Sequence, residues 1–340
     1  MRTIELFAGA GGMALGVDRA GFHHDALIEF DPAACETLRA NRPAWPVVET
    51  DVVDVDFAAY EGIDLLTAGA PCQPFSTDGK RGLDTDRRNM FPWVLHAIRT
   101  ACPRALLLEN VTGMLKGDAR AYFDWIIKRV RELDYDACWR QINCADHGVP
   151  QRRERVFVVG FRRELGVRWE WPAPTHGLDA LLHAQWTHCS YWAEHGLRAP
   201  EEPPLAHLER LERLWPSRLP PPRLRWRTVR DVLPDPGAPR IASWRVPRGH
   251  DTARVNAWDE PACTIMTRWN TAMVWDGNGE PRLLTMAEIA GLQTFPDDWA
   301  LAGRHDEQLR QLGNAVPPDM AYILGRAICE RLSGPTRTGS

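Results

Sequence analysis

No apolar stretch in the 340 residues approaches the ~18–20 needed to span a bilayer, so no membrane association is expected. The opening residues Met1-Arg2-Thr3-Ile4-Glu5-Leu6-Phe7 run straight into a strand pattern without the shape of a signal peptide, and a cytoplasmic protein is expected. Paired C-x-x-C cysteines are also missing. The eight cysteines (Cys35, Cys72, Cys102, Cys138, Cys144, Cys189, Cys263 and Cys329) are scattered, which excludes a disulfide framework and a zinc ribbon. His183, His188 and Cys189 lack a fourth partner, and no metal is expected. Lysine is scarce: Lys80, Lys116 and Lys128 are the only ones among 41 basic residues.

The net charge of −4 argues against nucleic-acid binding only if charge is averaged over the chain. Between Arg213 and Arg254 ten arginines face Asp231, Asp235 and Asp251, a local excess of about +7, which leaves about −11 on the remainder. A basic segment on an acidic body suits a phosphate-facing surface, and an arginine-rich solvated loop would read the same way.

Strand and helix signals alternate over the first 160 residues. Strands are expected at Thr3 to Phe7, Asp25 to Phe30, Val47 to about Asp51, Ile63 to Ala68, Leu106 to Glu109 and Arg155 to Phe161. Asp31-Pro32 reads as a helix cap followed by Pro at the first helical position, and Phe123, Ile126, Ile127, Val130 and Leu133 fall at helical spacing. The expected fold class is α/β: a doubly wound, mostly parallel sheet whose ligands sit beyond the carboxyl ends of the strands. After about residue 170 prolines become frequent, and ten of the fifteen tryptophans lie between Trp169 and Trp275. This predicts a smaller, loop-rich second domain, since disordered segments are poor in aromatics. The expected division is 1–174, completed by 305–332, then 175–304, with a loose tail at 333–340.

Three groups of residues carry chemistry. Phe7-Ala8-Gly9-Ala10-Gly11-Gly12 follows the first strand and opens a helix, where glycines let backbone approach a ligand; Glu29 ends the second strand, placed to take ribose hydroxyls. Gly9-x-Gly11-x-x-Ala14 also fits the dinucleotide fingerprint, so this loop alone permits a nicotinamide-dependent oxidoreductase. Gly69-Ala70-Pro71-Cys72-Gln73-Pro74-Phe75-Ser76 lies just past the fourth strand; its two prolines and polar flanks make a rigid turn that presents a thiol rather than a core segment. Glu109-Asn110-Val111 closes the fifth strand, and Gln151-Arg152-Arg153-Glu154-Arg155 enters the last one with Arg153 and Arg155 on one face.

In this order, and with Leu292-Gln293-Thr294-Phe295-Pro296 and Gly313-Asn314-Ala315-Val316-Pro317 following, these segments resemble the motifs of the C5-cytosine DNA methyltransferases. The resemblance covers nearly the whole chain except roughly 175–260. It implies S-adenosylmethionine as methyl donor, S-adenosylhomocysteine as product, and double-stranded DNA as substrate. Phe7 and Phe30 would flank the adenine, Ala8, Gly9, Gly11, Gly12 and Pro71 would approach the rest of the cofactor, and Glu29 would bind the ribose. Asp51 would meet the adenine amino group, with Asn314 and Ala315 closing the site. Cys72 would attack C6 of a flipped-out cytosine, Glu109 would support protonation at N3, Arg155 would contact the base near O2, and Arg153 would orient the catalytic groups. DNA contacts are implied for Ser76, Lys80, Arg81, Arg87 and Arg88 beside the thiol, and for Arg223, Arg225, Arg227 and Thr264 in a target-recognition region. The expected enzyme is a monomer associated with the nucleoid, acting beside a separate restriction endonuclease or alone. The same chemistry on RNA is the alternative.

Overall fold

The computed structural model describes residues 1–71, 89–214, 223–233, 240–243, 254–267, 272–275 and 282–334. The chain opens with β1 (Arg2–Leu6), α1 (Gly12–Arg19), β2 (His23–Glu29), α2 (Pro32–Asn41), β3 (Val47–Glu49) and β4 (Leu65–Ala68). It continues through α3 (Phe91–Ala101), β5 (Ala105–Val111), α4 (Gly117–Glu132), β6 (Tyr135–Asn143) and β7 (Glu154–Arg162). These strands form one seven-stranded sheet in the order β3-β2-β1-β4-β5-β7-β6, parallel except for β7, which runs antiparallel to both neighbours. The expected mostly parallel, doubly wound sheet is what forms.

Period-two alternation sorts the strand residues onto two buried faces. Ile4, Leu6, Leu66, Leu106, Leu108, Val156 and Val158 pack with α3 and α4 on one face. Leu65, Leu107, Phe157, Val159 and Phe161 pack on the other with α1 and with α10 (Pro318–Ser333). By the same alternation Glu5, Thr67, Glu109 and Arg155 belong to the second face, at the carboxyl ends of β1, β4 and β5 and the start of β7. Strand order reverses between β1 and β4, which opens a crevice at that edge.

Local signals explain several element starts. Asp31 caps α2 by accepting from Ala33 and Ala34 backbone N–H groups, with Pro32 at the first position as the sequence predicts. Thr285 and Glu288 form a capping box at α8 (Met286–Leu292), and Pro318 opens α10, whose Met320, Leu324 and Ile328 are buried. Neither α3 nor β6 stands out in the sequence. β6 is an edge strand whose inward residues (Tyr135, Ala137, Ile142) are separated by half-exposed and exposed ones, which dilutes its alternation.

Among its described residues the proline- and tryptophan-rich region holds short elements. It holds a short parallel pair, β8 (His176–Gly177) with β9 (Leu224–Arg225), and helices α5 (Leu178–Trp186), α6 (Ser190–Glu194) and α7 (Leu205–Leu214). It also holds an antiparallel sheet in the order β11-β10-β12-β13, from β10 (Arg240–Ser243), β11 (Arg254–Ala257), β12 (Ala272–Trp275) and β13 (Arg282–Leu283). Trp192 and Trp226 pack with Leu181 and Tyr191 against Ala145. The Thr264 segment is not a strand: 261–267 carries a single bridge, from Ala262 to Gln151, and ends in a turn at Thr267. A separate apolar cluster joins Ala10 and Leu15 to Leu292, Phe295, Trp299, Leu309 and Leu312, seating α9 (His305–Asn314) beside the glycine loop.

Arg225 is bound into this region. Its guanidinium donates to Asp231 at 2.7 and 2.8 Å and to Glu194 at 2.9 Å, and lies 4.9 Å from the Tyr191 ring centre. Asp231 also accepts from the Thr228 backbone N–H at 2.7 Å. Burial opposes ionisation of Asp231, but the bonds from Arg225 and Thr228 outweigh it and hold its pKa at about 2. A depressed carboxylate pKa stabilises the fold above its unfolded value and ceases to do so as pH falls through the folded one. Asp231→Asn is therefore expected to cost about 2 kcal/mol at neutral pH. In urea unfolding at a series of pH values, the gap from wild type should close between about 3.8 and about 2.

Candidate active site

The crevice between β1 and β4 is a cavity of about 650 Å³, walled by the turns after β1, β2, β4 and β5 and by the 310–316 segment. Phe7 leaves β1 in a left-handed conformation, φ 61°, which non-glycine residues rarely adopt and which marks functional turns. Ala8, Gly9 and Gly12 line the wall with it. Gly12 begins α1, and a Cβ there would fall on the carbonyl oxygen of Val316, so the helix start and the C-terminal loop touch backbone to backbone. Gly11, expected at the cofactor, does not line the cavity. Its Cα faces Leu38, Trp45 and Trp299 at φ 81°, so the glycine is required by packing and conformation behind the loop.

Glu29 is buried at the end of β2. One carboxylate oxygen accepts from Gly9 N–H at 2.8 Å, and the other from Phe30 and Asp31 N–H groups, each at 2.9 Å. Burial pushes its pKa up, and the backbone donors oppose that rise. It thereby fastens the glycine loop to the next strand. Phe30 lines the cavity and is 66% exposed. Asp51 lines the wall and accepts from the Val53 N–H at 3.2 Å, while Asn314 and Ala315 close the far side.

Glu109 and Arg155 meet across the β5–β7 pair. Val111 lies directly opposite Arg155 in the register, which puts Glu109 two residues along on the same face. The Arg155 Nε donates to Glu109 at 3.0 Å, and both side chains are nearly buried, at 12% and 8% exposure. Burial raises the Glu109 pKa, while the charges of Arg155 and Arg153 pull it down. Asn110 turns away and donates to the Ala70 carbonyl at 3.0 Å, pinning the Gly69–Pro71 turn to the end of β5. Pro71 is on the cavity wall, and Cys72 is the next residue in the chain. Cys72, Ser76, Lys80, Arg81, Arg87 and Arg88 lie outside the described residues.

Arg153 does not share the cavity with Arg155. It precedes β7, is completely buried, and donates to the carbonyls of Ile265 (3.1 Å), Gly313 (3.0 Å) and Ala315 (2.8 Å). Thr264 donates to the Arg152 carbonyl at 2.7 Å. Arg223 pairs with Asp179 at 2.8 Å, and Arg227 donates to the Gly148 carbonyl at 3.4 Å. With Arg225, these two line a separate open cleft beside His176, His183 and His188.

Glu5 escaped the sequence reading. It is 1% exposed, accepts from Thr67 at 3.2 Å, and lines the cavity; burial pushes its pKa to about 8. An acid inside the apolar run Thr3-Ile4-Glu5-Leu6 was the available signal. Among the described wall residues the acids are Glu5, Glu29, Asp31, Asp51 and Glu109; the bases are Arg155 and Arg310, each already facing a carboxylate. Burial leaves Glu5 largely protonated at neutral pH, so among the described wall residues the charge balance is mild, and the carboxyl groups are suited to accepting from or donating to hydroxyl and amino groups. Among the described residues no group of three His, Cys, Asp or Glu side chains is placed to hold a metal ion, and no helix is long and apolar enough to cross a membrane.

Comparison with known proteins agrees with this geometry. The profile of the C-5 cytosine-specific DNA methylase family matches residues 1–197 and 229–330. Type II methyltransferase M.NgoMIV of Neisseria gonorrhoeae is 36% identical over 340 residues, covering 97% of both chains. Type II methyltransferase M.Eco47II of Escherichia coli is 34% identical over 97% of this chain and 79% of its own. In fold, the S. pombe Dnmt2 methyltransferase superposes with a TM-score of 0.62 at 18% identity, over 98% of this chain and all of its own. The chain belongs to the C-5 cytosine-specific DNA methylase family and is a DNA cytosine C5-methyltransferase.

Proposed function

We propose that the cavity binds S-adenosylmethionine and that Cys72 forms a transient covalent bond to C6 of a cytosine flipped out of duplex DNA. The observation that carries this is the buried Glu109–Arg155 pair on the cavity wall, next to the turn that leads into Cys72. When bound, S-adenosylmethionine supplies a methyl group on a sulfonium and leaves as S-adenosylhomocysteine. In this reading Phe7 and Phe30 flank its adenine and Glu29 and Asp51 accept from its hydroxyl and amino groups; that all four line one cavity, with Glu5 deeper in it, supports the reading. Gly9, Gly12 and the 313–316 backbone shape the rest of the wall.

The residues divide the chemistry as follows. Addition of the Cys72 thiolate at C6 makes C5 electron-rich enough to take the methyl. Glu109 carries the proton at N3 that removes negative charge from the ring, and its raised pKa suits a group that must hold one. Arg155 fixes the Glu109 carboxylate and faces the base at O2. Loss of the C5 proton to solvent then re-forms the ring double bond and expels Cys72. Base flipping costs roughly a few kcal/mol, which DNA contacts must offset. We assign those contacts to Ser76, Lys80, Arg81, Arg87, Arg88, Arg223 and Arg227, with Thr264 acting through the backbone it holds. Arg225 would have to leave two carboxylates to join them.

The division into a catalytic unit (1–174 with 305–332) and a recognition unit (175–304) follows from this assignment, with one adjustment of emphasis: the stretch from Leu284 to Leu301 packs against the glycine loop. We read the enzyme as a monomer of the cytoplasm and nucleoid, partnered in function by a separately acting restriction endonuclease. The recognition region favours duplex DNA over RNA as substrate.

Methyl transfer to duplex DNA, and its absence with transfer RNA, is the first expected result; the reverse would establish the RNA reading. DNA carrying 5-fluorocytosine at the target, found by bisulfite sequencing, should trap a denaturation-resistant adduct that Cys72→Ala abolishes. Cys72→Ala should bind S-adenosylmethionine within about three-fold of wild type, since it removes a nucleophile and not a cofactor contact. Glu109→Gln should lower kcat by about 10²–10⁴ with cofactor affinity similarly preserved. An adduct that persists without Cys72 would place the nucleophile elsewhere.

A further inference from the structure

Gln151, Arg153 and Gln293 are completely buried where the sheet meets the C-terminal segment. Their hydrogen bonds form two limbs between the 261–267 segment and the cavity wall. In the first, the Ile265 N–H donates to Gln151 Oε1 at 2.9 Å, Gln151 Nε2 donates to Gln293 Oε1 at 3.0 Å, and Gln293 Nε2 donates to the Leu312 carbonyl. The direction of this relay is set at both ends by backbone groups, because flipping either carboxamide would bring donor to donor. In the second limb, Arg153 joins the Ile265 carbonyl to those of Gly313 and Ala315. Both backbone groups of Ile265 are thus tied to the carbonyls of 312–315. The segments also touch directly: a Cβ on Gly313 would fall on backbone atoms of Met266 and Thr267.

We propose that Gln151 and Gln293 are positioning residues that link occupancy of the cofactor cavity to DNA engagement by the 261–267 segment. This rests on the reading of the cavity as the cofactor site and of that segment as a support for base readout. Asn314 and Ala315 are cavity wall, so a ligand that holds them also holds 312–315. Both carboxamides are completely buried, and among the described residues Gln151 Nε2 has besides Gln293 only the longer contact to the Leu292 carbonyl at 3.4 Å, so an ordered 312–315 loop orders Ile265 as well. The second ligand then meets a segment already restrained and binds more tightly. Such a linkage is reciprocal for the two ligands.

The test measures the factor by which S-adenosylhomocysteine tightens binding of a duplex bearing the bisulfite-mapped site. Fluorescence anisotropy gives DNA affinity with and without the cofactor product, and calorimetry gives product affinity without DNA. In wild type the factor should be at least about five. Gln293→Met keeps the volume and removes the relay; it should bring the factor below about two while product affinity alone changes less than about three-fold. Gln151→Met should do the same, and the double variant should lose no more coupling than either single one. A merely structural role would lower the melting temperature and both affinities yet leave the factor at its wild-type value, and that result overturns the proposal. A wild-type factor of one also overturns it; if methylation is intact, the cofactor reading survives. Should both Met variants fail to fold, Gln293→Glu, which keeps the acceptor facing Gln151 and loses the amide donation to the Leu312 carbonyl, decides. A reduced factor there supports the linkage, and an unchanged one refutes it.

Discussion

A guanidinium with no access to water must find oxygen atoms, and Arg153 finds them on three carbonyls, those of Ile265, Gly313 and Ala315. The cost of leaving such a charge unsatisfied in the interior is several kcal/mol, so these segments can separate only together with loss of the core around them. This single requirement brings 151–155 to 261–267 and 312–316, although more than a hundred residues separate the first segment from the other two. The Gly69–Pro71 turn, the Glu109–Arg155 pair and the glycine loop are consequently parts of one packed object, not neighbours across a flexible seam.

The chemistry of the cavity grows out of strand alternation. Apolar residues on alternate positions of β1, β4, β5 and β7 bury both faces of the sheet, and at the carboxyl edge the same alternation carries Glu5, Thr67 and Glu109 to the face that α1 covers. Acids there lose solvation, which raises the Glu5 and Glu109 pKa values. Glu29 escapes the full effect because three backbone N–H groups accept its charge. Among the described wall residues both arginines, Arg155 and Arg310, already face carboxylates.

Much of this was legible in the residues. The strand ending in Phe7-Ala8-Gly9, the Asp31-Pro32 cap and the Glu109 strand end all carry local signals strong enough to survive without tertiary context. What was not legible depends on partners distant in sequence. Arg153 and Arg155 look equivalent in Gln151-Arg152-Arg153-Glu154-Arg155, yet one lies before the strand and one within it, so one serves carbonyls and the other a carboxylate. Gly11 looks like a ligand glycine, and only the positions of Leu38, Trp45 and Trp299 show that it is a packing glycine. Arg225 looks available for phosphate until Asp231, Glu194 and Tyr191 are assembled around it.

The orientation of β7 has a consequence of its own. Parallel strands deliver only their final residues to the reactive rim, each followed by a loop that is free to lengthen. A strand running the other way delivers its first residues, so Arg155 is aimed by what precedes it: the stretch from Cys144 to Arg153, pinned on both sides. Insertions after β7 therefore fall on the far edge of the molecule, where length is harmless. The same insertion a few residues upstream would rotate Arg155 off Glu109. The fold thus leaves one flank of this strand open to elaboration and closes the other.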